Sequence, residues 1–149
     1  MTFRRSIIGL TLVVAVLVTA MGPASAWARS RDLRHRMLTL VNRSRQAHGL
    51  GTLRLNARVS RYAWHHSQRM ARRNTVYHST DVWPVVRPLG ATTWGENVGM
   101  SGSLKVLEKA FMASPTHRAN NLAARFHRIG IGVVRAHGAF WVTLDFYGA

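Results

Sequence analysis

The sequence predicts an α+β fold in which a helical first half is closed by a terminal β-hairpin. Three observations predict it. Apolar residues recur every three or four positions through Leu33, Met37, Leu40 and Val41 and again through Val59, Ala63 and Met70, the rhythm of helices. From Ile129 the rhythm changes to strict alternation, the pattern of strands. Helices that come first and strands that follow are the order of segregated layers, not of a repeating β-α-β sheet.

Residues 1–26 read as a secretory signal peptide. Arg4 and Arg5 precede an apolar run from Ile7 to Met21, and Ala24-Ser25-Ala26 supplies a small-x-small cleavage site. That run is 15 residues, short of the ~20 that a helix needs to span a hydrocarbon core. Residues 27–149 are then the size of one domain. Ser30 and Asp32 open a first helix, which stops at Gly49. Leu53 and Leu55 form a short extended link. Asn56 is placed to cap a second helix, whose apolar face is Val59, Ala63, Ser67 and Met70, with Tyr62 and His66 alongside. Its far end carries Arg69, Arg72 and Arg73, which suits the negative end of the helix dipole.

Residues 79–102 hold Pro84, Pro88, four glycines and two tryptophans, and read as a long irregular segment that lends the sheet a third strand. Ser103 begins a third helix through Leu107, Ala110 and Phe111. Ser114-Pro115 caps and starts a short fourth one, to about residue 122. In the tail, Ile129, Ile131 and Val133 alternate with Gly130, Gly132 and Val134. Arg135 to Gly138 turn the chain, and Phe140, Val142 and Leu144 alternate with Trp141, Thr143 and Asp145.

Composition narrows the function. The chain has no cysteine, which excludes a disulfide framework, thiol catalysis and thiolate metal sites. It has 21 Lys+Arg against 5 Asp+Glu, and such a surface attracts polyanions. The cations are spread along the whole chain, so no dedicated nucleic-acid partner is expected. No G-x-S-x-G elbow exists to activate Ser79 or Ser114, and Ser114 is assigned to capping.

The residues fit for chemistry are few. His78 lies in YHST where the second helix gives way. Glu96 lies in WGENVG between two glycines that let the chain bend about a carboxylate. His117 lies in SPTHRANN, in the first turn of the fourth helix, where the dipole disfavours the imidazolium. Two imidazoles and a carboxylate form a set that zinc accepts with one position left open. Spacing alone leaves open whether the three meet or are a helix-end histidine, a loop glutamate on backbone amides and a histidine packed beside a cap. His65 and His66 are adjacent, so they face about 100° apart on a helix and cannot chelate together. Asn97 and Asn121 read as loop ties, and Asp145 as an anchor of the last strand. Trp83, Trp94 and Trp141 read either as core or as the lining of a groove.

The ordered series ARVSRYAWHHSQRMA, YHST, WGENVG, FMASPTHRANNL, RIGIGVV and FWVTLDFYG resembles the bacterial branch of the CAP (SCP-like) superfamily. That superfamily includes cysteine-rich secretory proteins, insect venom antigens and plant pathogenesis-related proteins. The likeness runs from about Met37 to Gly148. It implies a three-layer α-β-α sandwich, an antiparallel sheet with flanking helices, and a cleft holding two histidines and acidic residues. Some members bind zinc or another divalent cation there. By motif, the cleft and metal residues are His78, Glu96 and His117, with Glu96 as the candidate catalytic group. Many members add a glutamate in the helix before the second histidine. Here AFMASP has no acid, and Glu108 stands one turn earlier. The set is incomplete, and a weak or absent metal site with no required cofactor is expected.

The resemblance implies a secreted, monomeric, non-catalytic extracellular binding domain that takes a divalent metal weakly, or a lipid or other small ligand. Two alternatives stay open: a metal-assisted, protease-like hydrolase using the same residues, and a cationic envelope- or polyanion-binding antimicrobial protein. The expected partners are anionic cell-envelope components or lipids.

Overall fold

The computed structural model describes residues 23–148, with side chains from Ser30 onward. Most of the signal-peptide reading therefore falls on residues 1–22, outside the described residues. The elements are α1 (Pro23–Ala47), β1 (Arg54–Leu55), α2 (Ala57–Arg73), α3 (Val82–Val86), a 3₁₀ turn at Arg87–Leu89, β2 (Thr93–Ser101), α4 (Leu104–Ala113), α5 (Pro115–Asn121), β3 (Arg128–Ala136) and β4 (Ala139–Gly148). One sheet of order β1-β3-β4-β2 runs through the middle. It is antiparallel except for β1, which joins β3 in parallel over two residues. No helix among the described residues is long and apolar enough to cross a membrane.

Local chemistry accounts for the boundaries. The Asn56 side chain accepts the Val59 N–H at 3.1 Å and starts α2, and Asn74 ends it in the left-handed region at φ 49°. His137 and Gly138 both have positive φ, 51° and 74°, the two-residue turn whose twist matches a hairpin. Two expected boundaries differ. α1 begins at Pro23, ahead of Ser30, whose hydroxyl instead donates to the Val133 carbonyl at 2.9 Å and ties the helix to the sheet. The segment 79–102 is largely ordered: α3 and the 3₁₀ turn come first, and then β2 takes up nine residues as the strand beside β4. Its glycines are there for close approach. A Cβ on Gly95 would lie 2.7 Å from the Asn120 side chain, and one on Gly99 would lie 2.9 Å from Leu107.

The sheet's two faces are filled differently. Against α1 and α4 lies an apolar core of Met37, Val41, Leu107, Phe111, Ile129, Ile131, Val142, Leu144 and Phe146, with Phe126 stacked on Phe146 at 5.7 Å. On the other face α2 comes so close that a Cβ on Gly132 would sit 2.2 Å from the Ala63 backbone. Small and polar groups fill that contact: the Ser67 hydroxyl bonds the Gly132 carbonyl at 3.2 Å and the Thr143 hydroxyl at 2.9 Å, and the Ser60 hydroxyl accepts the Ile131 N–H at 3.1 Å. A buried guanidinium closes the far end of α1: Arg45 donates to the carbonyls of Gly51, Asn121, Ala123 and Phe126. It ties α1 to the loop between α5 and β3 without a carboxylate partner.

Candidate functional site

The strand β2 positions the site by alternation. Glu96 stands opposite Asp145 in the ladder with β4, and both side chains lie on the α2 side of the sheet. Asn97, one residue on, points the other way, toward α5. Its amide donates to the His117 carbonyl at 2.9 Å and to Asn121 Oδ1 at 3.0 Å. Asn120 donates to the Glu96 carbonyl at 3.1 Å and to Asn97 Oδ1 at 2.9 Å. The three asparagines therefore fasten the helix bearing His117 to the strand bearing Glu96. The loop-tying role expected of Asn97 and Asn121 is seen; Asn120, equally engaged, has only its place in the NN pair as a sequence signal.

His78 and Glu96 meet. The imidazole Nδ1 is 2.7 Å from Glu96 Oε1, within hydrogen-bond distance. The Ser79 N–H donates to the same oxygen at 2.9 Å, and the Ser79 hydroxyl bonds the other oxygen. The Glu96 side chain is 3% exposed and that of His78 63% exposed, so a buried carboxylate grips a ring that stands out in solvent. With Nδ1 engaged, His78 presents Nε2 outward.

His117 is close by but held separately. Its Nδ1 lies 2.8 Å from the Ser114 hydroxyl, and its ring rests on Phe111 with centroids 5.1 Å apart. Burial lowers its pKa, and the nearby His78 imidazole lowers it further, which favours the neutral ring. The capping role expected of Ser114 is corrected here: its side chain makes no bond to the helix backbone and is spent on the His117 ring.

Among the described residues no group of three or more His, Asp or Glu is placed to hold a metal ion. The Glu96 carboxylate is taken up by His78 and Ser79, and His117 bonds Ser114, so what remains for a ligand is a pair of imidazole Nε2 atoms. Glu108 faces elsewhere: Ser44 on α1 donates to it at 2.5 Å.

Behind Glu96 the site is acidic. Asp145 is wholly buried, and neither of its carboxyl oxygens has a hydrogen-bond partner among the described residues. Burial first, and then the charges of Glu96 and Asp81, raise its pKa well above the carboxylate range. The neutral form of Asp145 is therefore favoured, and no hydrogen bond among the described residues supports its expected role as a strand anchor. Tyr62 donates to Asp81 Oδ1 at 2.5 Å, and burial, with that bond, raises the phenol's pKa. His66 is buried on the Tyr77 carbonyl at 2.8 Å while His65 is exposed, so the two adjacent rings face apart. Trp141 is core, its Nε1 donating to the Ala136 carbonyl at 3.2 Å. Trp83 and Trp94 are 37% and 41% exposed and, with Thr92 and Thr93, line an open hollow of about 430 Å³.

This arrangement is a sandwich whose edge strand carries a His–Glu pair beside a second histidine. Residues 38–146 match the cysteine-rich secretory protein family, CAP. The chain belongs to the CAP family. It is 30% identical over 137 residues to the uncharacterized protein YkwD of Bacillus subtilis, an alignment covering 87% of this chain and 51% of that protein. The chain thus spans about half the length of this curated relative. In fold it is similar to an extracellular SCP-domain protein of Bacillus anthracis (TM-score 0.69, 23% identity, 87% of this chain and 45% of that one). It is also similar to an outer surface protein of Borrelia burgdorferi (TM-score 0.68, 13% identity, 79% and 92%). The CAP sandwich is the three-layer fold expected from the motifs.

Proposed function

We propose that this CAP domain is a secreted, non-catalytic binding domain whose cleft takes a small ligand between the Nε2 atoms of His78 and His117. The observation that carries this is the saturation of Glu96: His78, the Ser79 N–H and the Ser79 hydroxyl occupy its two oxygens, so it orients a histidine and is not free to act as a base. A neutral His117 beside an oriented His78 offers two lone pairs to one guest, either a divalent cation held weakly or the polar head of a lipid or other small molecule. Secretion is supported by the leader-like first residues and by relatives described as extracellular or as surface proteins.

The hydrolase reading keeps one observation in its favour. A carboxylate on Nδ1 with Nε2 left open is also how a general base is oriented. A single experiment separates the two. Chemical-shift mapping with zinc and with a short-chain fatty acid should move His78, Ser79 and His117, and His117→Ala should weaken binding at least tenfold. Turnover of peptide or ester libraries that Glu96→Gln abolishes would overturn the binding reading in favour of the enzyme. Shifts confined to other residues would remove the cleft as the site.

A further inference from the structure

The charges of this chain do not neutralise one another. Of its five acidic residues, Glu96, Glu108 and Asp145 are buried, and Asp81 is bonded to Tyr62. Arg34 aside, no Lys or Arg among the described residues pairs with a carboxylate. A surface this cationic repels itself and leaves its field to be met by something outside the protein.

The cations are most ordered on α2. Its buried residues, Val59, Ser60, Ala63, His66, Ser67, Met70 and Ala71, define the side against the sheet. At 100° per residue the opposite side carries Arg58, Arg61, His65, Arg69 and Arg72, spaced three, four, four and three apart. They form a straight row of five basic groups along ~21 Å of helix axis, one about every 5 Å. The helix contains no acidic residue, so nothing on it offsets the repulsion among its arginines, and Arg58 sits at the end where the dipole already disfavours a cation. Arg58, Arg61 and Arg72 are exposed and make no hydrogen bond or ion pair among the described residues. Arg69 Nη2 lies 3.3 Å from His66 Nδ1, and His65 Nδ1 lies 3.3 Å from Gln68 Oε1.

We propose that the outer face of α2 binds a linear, base-free polymer with a phosphate backbone along the helix axis, at a surface separate from the His78–Glu96 cleft. Guanidinium groups suit phosphate because their paired N–H donors match two of its oxygens. A single row on a convex helix suits a strand. It suits a membrane poorly, because the row carries no apolar residue to enter the headgroup layer. It suits single-stranded nucleic acid poorly too, since His65 is the row's one ring for bases to stack on.

The test compares equal charge removal on opposite layers of the sandwich. One variant carries Arg58→Gln, Arg61→Gln and Arg72→Gln on α2. The other carries Arg43→Gln, Lys105→Gln and Lys109→Gln, exposed positions on α1 and α4. The probe is linear inorganic polyphosphate, titrated at several salt concentrations. The α2 variant should lose at least tenfold in affinity at 0.15 M salt, and its log K against log salt slope should flatten by about 2, three contacts at ~0.7 each. The control should change less than threefold. Equal losses in both variants would show that net charge alone is responsible and would overturn the proposal, as would no measurable binding by the wild type. Tighter binding to anionic phospholipid vesicles, or to an oligonucleotide of equal charge, would overturn the choice of partner. His78→Ala, which empties the cleft reading, should leave polyphosphate binding unchanged, so the two ideas fail separately.

Discussion

The two faces of the sheet solve different problems. Toward α1 and α4 the contact is dry: Ile129, Ile131, Val142, Leu144 and Phe146 interlock with Met37, Val41, Leu107 and Phe111. Toward α2 it is small and polar, with Gly130, Gly132, Ser60, Ser67 and Thr143 in the interface and Glu96 and Asp145 beyond them. A face filled with glycine, hydroxyls and a buried carboxyl group stabilises less per residue than one filled with branched hydrocarbon. What the polar face supplies is close backbone approach and a place to hold a carboxylate against a histidine. Stability and the site thus lie back to back on the same strands.

The dry face should show the largest loss. Phe146→Ala, which deletes a wholly buried ring stacked on Phe126, should cost about 4 kcal/mol in chemical denaturation. A loss below ~1 kcal/mol would mean that this face does not carry the fold. On the polar face Gly132→Ala should cost about 2 kcal/mol through overpacking, because its new Cβ meets backbone that cannot swing away. Should the variant melt with the wild type, α2 does not lie so close.

Asp145 sharpens the contrast through pH. Its pKa is raised in the fold, so the neutral form is favoured there while the unfolded chain ionises above about pH 4. Above that pH the unfolded state holds fewer protons, and stability falls as pH rises toward the folded-state value, by up to ~1.4 kcal/mol per unit. Asp145→Asn removes this dependence and should be more stable than wild type at pH 7, with the gap closing toward pH 4 in thermal melts. A gap that widens on acidification would mean that Asp145 is ionised in the fold. The smallest effect belongs to neither face: His137→Asn in the hairpin turn, where φ is 51°, should add about 0.5 kcal/mol.

Much of this was legible from local chemistry. The cap at Asn56, the buried side of α2, the stop at Gly49 and the hairpin all depend on neighbours within a few residues, where sequence pattern is strong. Of β2 only the existence was legible, because Pro84, Pro88 and its own glycines read as loop punctuation, and its extent is fixed by pairing with β4 and by the asparagine network. Arg45 was overlooked although Met37, Val41 and Arg45 follow at four-residue spacing on one stripe; a charge there reads as solvated until the carbonyls that surround it are seen. The contact of His78 with Glu96 spans 18 positions, a distance that composition and periodicity cannot bridge, and it came from the ordered motifs alone. The same motifs suggested a three-donor metal set, and in the fold Ser79 bonds Glu96 while Ser114 bonds His117.

The central claim is that Glu96 holds His78 by Nδ1 and turns Nε2 toward the cleft. Long-range ¹⁵N–¹H correlation of the imidazoles at neutral pH tests it directly, since it shows which ring nitrogen carries the proton. The account predicts the Nδ1–H tautomer for His78 in the wild type and its loss in Glu96→Gln. An Nε2–H ring in the wild type, or the same spectrum in both proteins, would contradict it.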